Sequence, residues 1–151
     1  MDRITKYLGI DFGSKRVGIA VSDENKKYSF SRDFILNDKK FYENLLKIIK
    51  SEFIEKIIIG YPLNFKSEKT IQTLEVEKFR SELEAKLKKN NIAAELVFFD
   101  ERLTSKIAQD SILMSGLSRT KRQEKGRVDS ISAQIILQDF IDKTNNQNIY
   151  I

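Results

Sequence analysis

The sequence predicts an α/β fold: a five-stranded mixed sheet, in which two parallel strands join a three-stranded antiparallel meander, flanked by helices. Two observations predict it. Three β-rich segments near the N-terminus follow one another across short turns, the spacing of a meander. Two further apolar strands each follow a segment with helical periodicity, so each arrives by a crossover and runs parallel to a neighbour. The 151 residues, 40% hydrophobic and 10% aromatic, suit one domain, 1–151, around one core.

The elements follow in order. Residues 4–11 alternate well enough for a strand, and Phe12-Gly13-Ser14-Lys15 forms a tight turn. Residues 16–22 and 28–35 make the second and third strands. Asp38 is the expected N-cap of a helix carrying Phe41, Leu45, Ile48 and Ile49 at helical spacing. Residues 56–60 form a short β-branched strand that Gly60-Tyr61-Pro62 breaks. Ser67 or Thr70 opens a long helix with Val76, Phe79, Leu83 and Leu87 on one stripe, and Asn90-Asn91 ends it. Residues 93–99 make the fifth strand, ending at Asp100-Glu101-Arg102. A helix capped by Thr104 is expected to stop at Gly116. After a polar stretch, 117–127, the last helix is expected over 128–143 with a frayed tail.

The chain has no Cys and no His. Cysteine nucleophiles, disulfides, thiolate zinc sites and His-dependent triads are thereby excluded. Any hydrolysis must use carboxylates, Lys, Tyr, Ser/Thr or a cation held by oxygen, and Mg²⁺ or Mn²⁺ suits oxygen ligands. The longest apolar runs, such as Ile57-Ile58-Ile59, are far too short to span a membrane. Residues 1–7 are too polar for a secretory signal, so the expected compartment is the cytoplasm. A net charge of +5 suits a polyanionic partner, though many soluble proteins are basic without one.

In α/β sheets ligands bind beyond the carboxyl ends of the parallel strands. Here those ends are Asp11, Gly60-Tyr61-Pro62 and Asp100-Glu101. Each acid has an ordinary structural reading, as a turn residue, a cap, or, for Asp129, a helix-dipole partner in the first turn of the last helix. Together they suggest phosphodiester cleavage, which needs several carboxylates converging on one or two cations. Ser130, Ser132 and Ala133 are small enough to let that helix lie close to the sheet and bring Asp129 near Asp11. Adjacent strand residues face opposite ways, so Asp100 and Glu101 do not both face a cation. Parity does not choose between them, because residues 97–99 are apolar on both faces.

Arg119, Lys121, Arg122, Lys125 and Arg127 lie within nine residues, offset by Glu124. Such a run is often a plain solvated loop. Placed before Asp129, it also fits a clamp on a phosphate backbone, which positions without reading bases. Lys15 and Arg16 would extend that surface, and Arg102 could contact phosphate or pair with an acid.

Four segments carry a resemblance. Leu8-Gly9-Ile10-Asp11-Phe12-Gly13-Ser14-Lys15-Arg16-Val17-Gly18-Ile19-Ala20 resembles the opening motif of the YqgF (RuvX-type) family. Gly60-Tyr61-Pro62-Leu63-Asn64 resembles its second motif, Asp100-Glu101-Arg102-Leu103-Thr104 its third, and Lys125-Gly126-Arg127-Val128-Asp129-Ser130-Ile131-Ser132-Ala133 its fourth. The motifs are collinear and span nearly the whole chain. The resemblance implies an RNase H-like fold and a cytoplasmic bacterial nuclease proposed to mature the 5′ end of precursor 16S rRNA. The family is also described as resolving Holliday junctions. It implies Asp11, Glu101 and Asp129 as catalytic acids and cation ligands, with Asp100 a weaker candidate. The implied chemistry is in-line attack of water on a phosphodiester, with Lys125, Arg127 and Arg16 holding the backbone. Expected partners are precursor rRNA ahead of junction DNA, and ribosomal particles; the expected state is a monomer or weak dimer.

Three rivals follow from the same residues. A junction resolvase cuts symmetrically and so works as a dimer. An ATP-binding domain is suggested by Asp11-Phe12-Gly13-Ser14, which also resembles the first phosphate loop of actin-like ATPases. No second Asp-x-Gly occurs, and the chain is too short for two such domains. In a non-catalytic RNA-binding assembly factor, the acids would be structural.

Overall fold

The computed structural model of the protein describes residues 3–101 and 125–149, with the side chains of 130–145 in the last helix. Three strands come first: β1 (Lys6–Asp11), β2 (Arg16–Ser22) and β3 (Ser29–Leu36). Helix α1 (Phe41–Ser51) leads to β4 (Ile54–Tyr61), and α2 (Ile71–Lys89) leads to β5 (Glu95–Asp100). Helix α3 (Lys125–Ile149) closes the described chain. The strand order is β3-β2-β1-β4-β5. The first three strands pair antiparallel, with Asp11 opposite Gly18 and Val21 opposite Phe30. β4 runs parallel to both β1 and β5, with Ile59 beside Ile10 and Tyr61 beside Asp100. This is the predicted mixed sheet of a meander plus two parallel strands.

Alternation along the strands builds two apolar layers. Leu8, Ile10, Val17, Ile19, Ile57 and Ile59 face α1 and α2. They bury Phe41, Leu45 and Ile49 of α1 and the expected stripe Val76, Phe79, Leu83 and Leu87 of α2. Each of those helical residues is at most 3% exposed. On the other face Ala20, Ile58 and Phe99 pack against Ala133, Ile136, Leu137 and Ile141 of α3. Helix α3 is also tied to the start of β3. Gln138 accepts from the Ser29 N–H (2.8 Å), and Gln134 donates to the Ser29 carbonyl (3.1 Å).

Of the two candidate starts for α2, Thr70 is the cap. Its hydroxyl accepts from the Thr73 N–H, and the Thr73 side chain accepts from the Thr70 N–H. Asn90 ends that helix by donating to the Lys86 carbonyl, and Asn91 takes the left-handed conformation (φ 56°).

Asp38 is not the cap of α1, which is Lys40. Its carboxylate accepts from the Lys40 N–H (2.9 Å) in a turn just upstream, a local side-chain bond that competes with capping. The fourth strand begins at Ile54, whose buried side chain extends the core, and the fifth begins at Glu95. The last helix starts at Lys125 rather than 128 and runs to Ile149 rather than 143. The first four N–H groups of a helix need no intrahelical partner, so a polar opening marks no boundary there. Asp129 therefore lies beyond the first turn, which holds no acid, and the helix-dipole reading of that residue weakens. The expected helix over 104–116 and the polar stretch up to residue 124 lie outside the described residues. Among the described residues, no helix is long and apolar enough to cross a membrane.

Candidate active site

Asp11 is the last residue of β1. It shares parity with Tyr7 and Gly9, so it lies on the face that α3 covers. The turn after it is anchored: Asn37 donates its side-chain amide to the Gly13 carbonyl and its backbone N–H to the Lys15 carbonyl, each at 2.9 Å. The direction taken at the end of β1 is thus tied to the end of β3.

Gly9 sets how closely α3 approaches. A Cβ at position 9 would lie 2.8 Å from the Leu137 Cβ and 2.9 Å from the Ala133 carbonyl oxygen. With a side chain there, the helix would have to back away from the sheet. Going from Ala133 and Leu137 to Phe140, the contacts on β1 pass from Gly9 to Tyr7, whose ring lies 6.0 Å from that of Phe140. Helix α3 therefore runs antiparallel to β1, and its N-terminal turns lie toward Asp11. Position 129 is one turn before Ala133 on the same stripe of the helix. Ala133, one of the small residues singled out in the sequence, is the point where the helix backbone meets the sheet, at Gly9.

Asp100 and Glu101 are separated by layers that the sequence could not show. Phe98 packs with the α1/α2 core and Phe99 with the α3 layer. Alternation puts Glu101 on the Phe99 side, with Asp11, and Asp100 on the other. Glu101 lies over β4, where its carboxyl oxygen occupies the space a side chain at Gly60 would fill; the Ile136 Cδ1 borders the same space. Gly60 was visible in sequence as a strand breaker, yet it acts by leaving room for a carboxyl group. Its signal is a glycine near the end of a largely buried β-branched strand, where chain entropy alone disfavours it.

Asp11 and Glu101 share a side-chain hydrogen bond. Burial pushes the Glu101 carboxyl above its ordinary value, and the nearby charge of Asp100 adds to this; the bond with Asp11 works the other way. Two carboxyl groups in contact and partly out of water need a proton or a cation between them. The available donors are all oxygen, the set a hard divalent cation takes. Of the three predicted acids, two converge among the described side chains, and the backbone places the third position at the same end of the helix that packs over them.

The basic residues divide. Lys15 is exposed in the turn beyond Asp11, and Arg16 is half-buried at the start of β2; the Arg16 guanidinium lies 5.8 Å from the Phe34 ring centre. Lys125 and Arg127 fall in the first turn of α3, not in a loop, at the helix end nearest Asp11. Arg102, Arg119, Lys121 and Arg122 lie outside the described residues.

A family model described as RuvX, Holliday junction resolvase, matches residues 5–143. A provisionally named pre-16S rRNA nuclease of Sulfurihydrogenibium sp. is 37% identical over 147 residues, covering 96% of this chain and 95% of that one. One of the same name from Chlorobaculum tepidum is 35% identical, covering 91% and 93%. Among solved structures, Thermus thermophilus RuvC in complex with a Holliday junction matches with a TM-score of 0.56 at 10% identity, over 89% of this chain and 91% of that one. The yeast mitochondrial Holliday junction resolvase matches with a TM-score of 0.55 at 14% identity, over 93% and 79%. At these identities the structural likeness establishes the fold, which is the RNase H-like fold that the sequence motifs implied.

Proposed function

The chain belongs to the RuvX family of nucleases, and from that premise we propose that it is a divalent-cation-dependent endonuclease acting in 5′-end maturation of precursor 16S rRNA. The observation that carries the cation dependence is the half-buried Asp11–Glu101 carboxyl pair, with Glu101 set against Gly60 at the carboxyl end of the sheet. The rRNA reading is supported by relatives at 35–37% identity that carry that name.

In this reading Asp11, Glu101 and Asp129 hold Mg²⁺ or Mn²⁺. The bound cation would supply charge neutralisation at the phosphate and acidification of water. The chain does the rest. Asp11 is fixed by the anchored β1–β2 turn, and Glu101 by the space at Gly60. The Ile136 side chain, whose Cδ1 lies 2.8 Å from where a Cβ at Gly60 would stand, borders the same space. Lys15, Arg16, Lys125 and Arg127, with Arg102, Arg119, Lys121 and Arg122, supply positive charge for the backbone on either side of the cut. Such contacts set register without reading bases. One domain over 1–151, working in the cytoplasm as a monomer or weak dimer, on free precursor rRNA or on ribosomal particles, completes the proposal.

A second reading is junction resolution, favoured by the description of the matching family model. Both are tested by incubating the protein with labelled precursor 16S rRNA fragments and four-way DNA junctions, in Mg²⁺, in Mn²⁺ and in chelator, beside Asp11→Asn. Metal-dependent cutting of the RNA that the variant loses is expected. Cutting of the junction alone would transfer the assignment to resolution. Cutting that Asp11→Asn retains would overturn the site.

A further inference from the structure

The segment between β4 and α2 leaves the sheet at the same edge as the acid pair, two residues beyond Gly60. It is well built. Leu63 bridges to Lys69 in antiparallel fashion, and the Asn64 N–H donates to the Glu68 carbonyl (3.1 Å). The Asn64 side-chain oxygen accepts from the N–H groups of Lys66 and Glu68, both at 2.9 Å. At the base the Thr73 hydroxyl donates to the Pro62 carbonyl, locking the loop to α2. This hydrogen-bonded scaffold presents Phe65 at 99% exposure. Ile71 and Leu74, on one face of the first turn of α2, are 79% and 58% exposed.

A single exposed apolar residue is ordinary. Here an exposed phenyl ring, followed in sequence by Lys66, is carried on a hydrogen-bonded loop that starts two residues beyond Gly60, at the carboxyl end of β4. It lies three residues on from buried Pro62, so its backbone reaches at most about 11 Å from that point. An aromatic face with a neighbouring cation is the combination that binds unpaired bases, through stacking and backbone charge. Lys69 is turned to Glu77 (3.1 Å), and the exposed Lys66 follows Phe65 in the same turn.

We propose that the 62–70 loop is a substrate-positioning finger in which Phe65 stacks on an unpaired base of the strand whose backbone lies at the acid pair. The inference rests on the nucleic-acid reading above and deepens it, because it makes the preferred substrate one with unpaired bases next to the cut.

The chain contains no Trp, so Phe65→Trp places a single indole reporter at the tip. The full chain, its Phe65→Trp and Phe65→Ala variants would be titrated in chelator with single-stranded RNA, single-stranded DNA and a fully paired duplex of the same sequence. Binding of single strands should quench the indole emission, and binding of the duplex should not. Phe65→Ala should weaken single-strand binding by about 5- to 150-fold, the ~1–3 kcal/mol of one stacked base, and leave the duplex unchanged. The RNA and DNA arms distinguish which strand supplies the base. Single-strand binding with unchanged emission, and with Phe65→Ala at full affinity, would overturn the finger while leaving the nuclease reading intact. Emission that shifts with protein concentration alone would show that a second copy covers the ring, which also overturns it. Absence of binding to any strand by the unsubstituted chain would overturn both readings together.

Discussion

Gly60→Ala tests the site through a single methyl group. The new Cβ would lie 2.8 Å from the Ile136 Cδ1 and in collision with the Glu101 carboxyl oxygen, where ordinary contacts lie at 3.4–4 Å. Both neighbours are the ends of side chains, so each must move by at least roughly half an ångström. Overpacking of this kind costs about 1–3 kcal/mol, and the low end applies where side-chain ends can give way. At about 2–4 °C per kcal/mol for a chain of this size, the melting temperature should fall by only ~2–6 °C. Activity should fall much further, because a misplacement near 1 Å at a reacting centre costs on the order of 100-fold. The assay is metal-dependent cleavage of the preferred substrate beside thermal unfolding of the same sample. Gly9→Ala is the contrast: it meets the Ala133 backbone oxygen at 2.9 Å and should destabilise the fold more. A Gly60→Ala protein with full cleavage would refute the placement of Glu101 over β4 as a requirement of the reaction.

Two further outcomes follow from the same geometry. In chelator, Glu101 keeps its proton above the ordinary 4.5, chiefly because it is buried. The folded protein then binds a proton that the unfolded chain has released, so this stability is full below 4.5 and is lost as pH climbs through the raised value. Melting curves against pH should show that loss in the unsubstituted protein and not in Glu101→Gln; identical curves for the two would contradict it. Thr70→Ala removes the hydroxyl that caps α2 and should cost about 0.5–2 kcal/mol in urea unfolding while cleavage is retained. No change in midpoint would mean the cap carries no weight.

Periodicity and punctuation in the chain determined the architecture. Alternating β-branched residues, the stripe Val76, Phe79, Leu83 and Leu87, and the stops at Gly60-Tyr61-Pro62 and Asn90-Asn91 each act within one or two turns of backbone, so they are legible without neighbours. The absence of Cys and His likewise restricts any cation site to oxygen donors, from composition alone. Tertiary structure decided what depends on partners distant in sequence. Asp38 and Lys40 differ in role only through a local turn geometry that composition does not encode. Asp100 and Glu101 are equivalent in a strand read alone; they separate because Phe98 meets α2 and Phe99 meets α3. Gly60 reads as a break along the chain, and becomes the space for a carboxyl group only when β5 lies beside β4 and α3 crosses above. Which acid meets which is a long-range property: it is set by the layers on either side of the sheet, and a one-dimensional pattern holds no record of them.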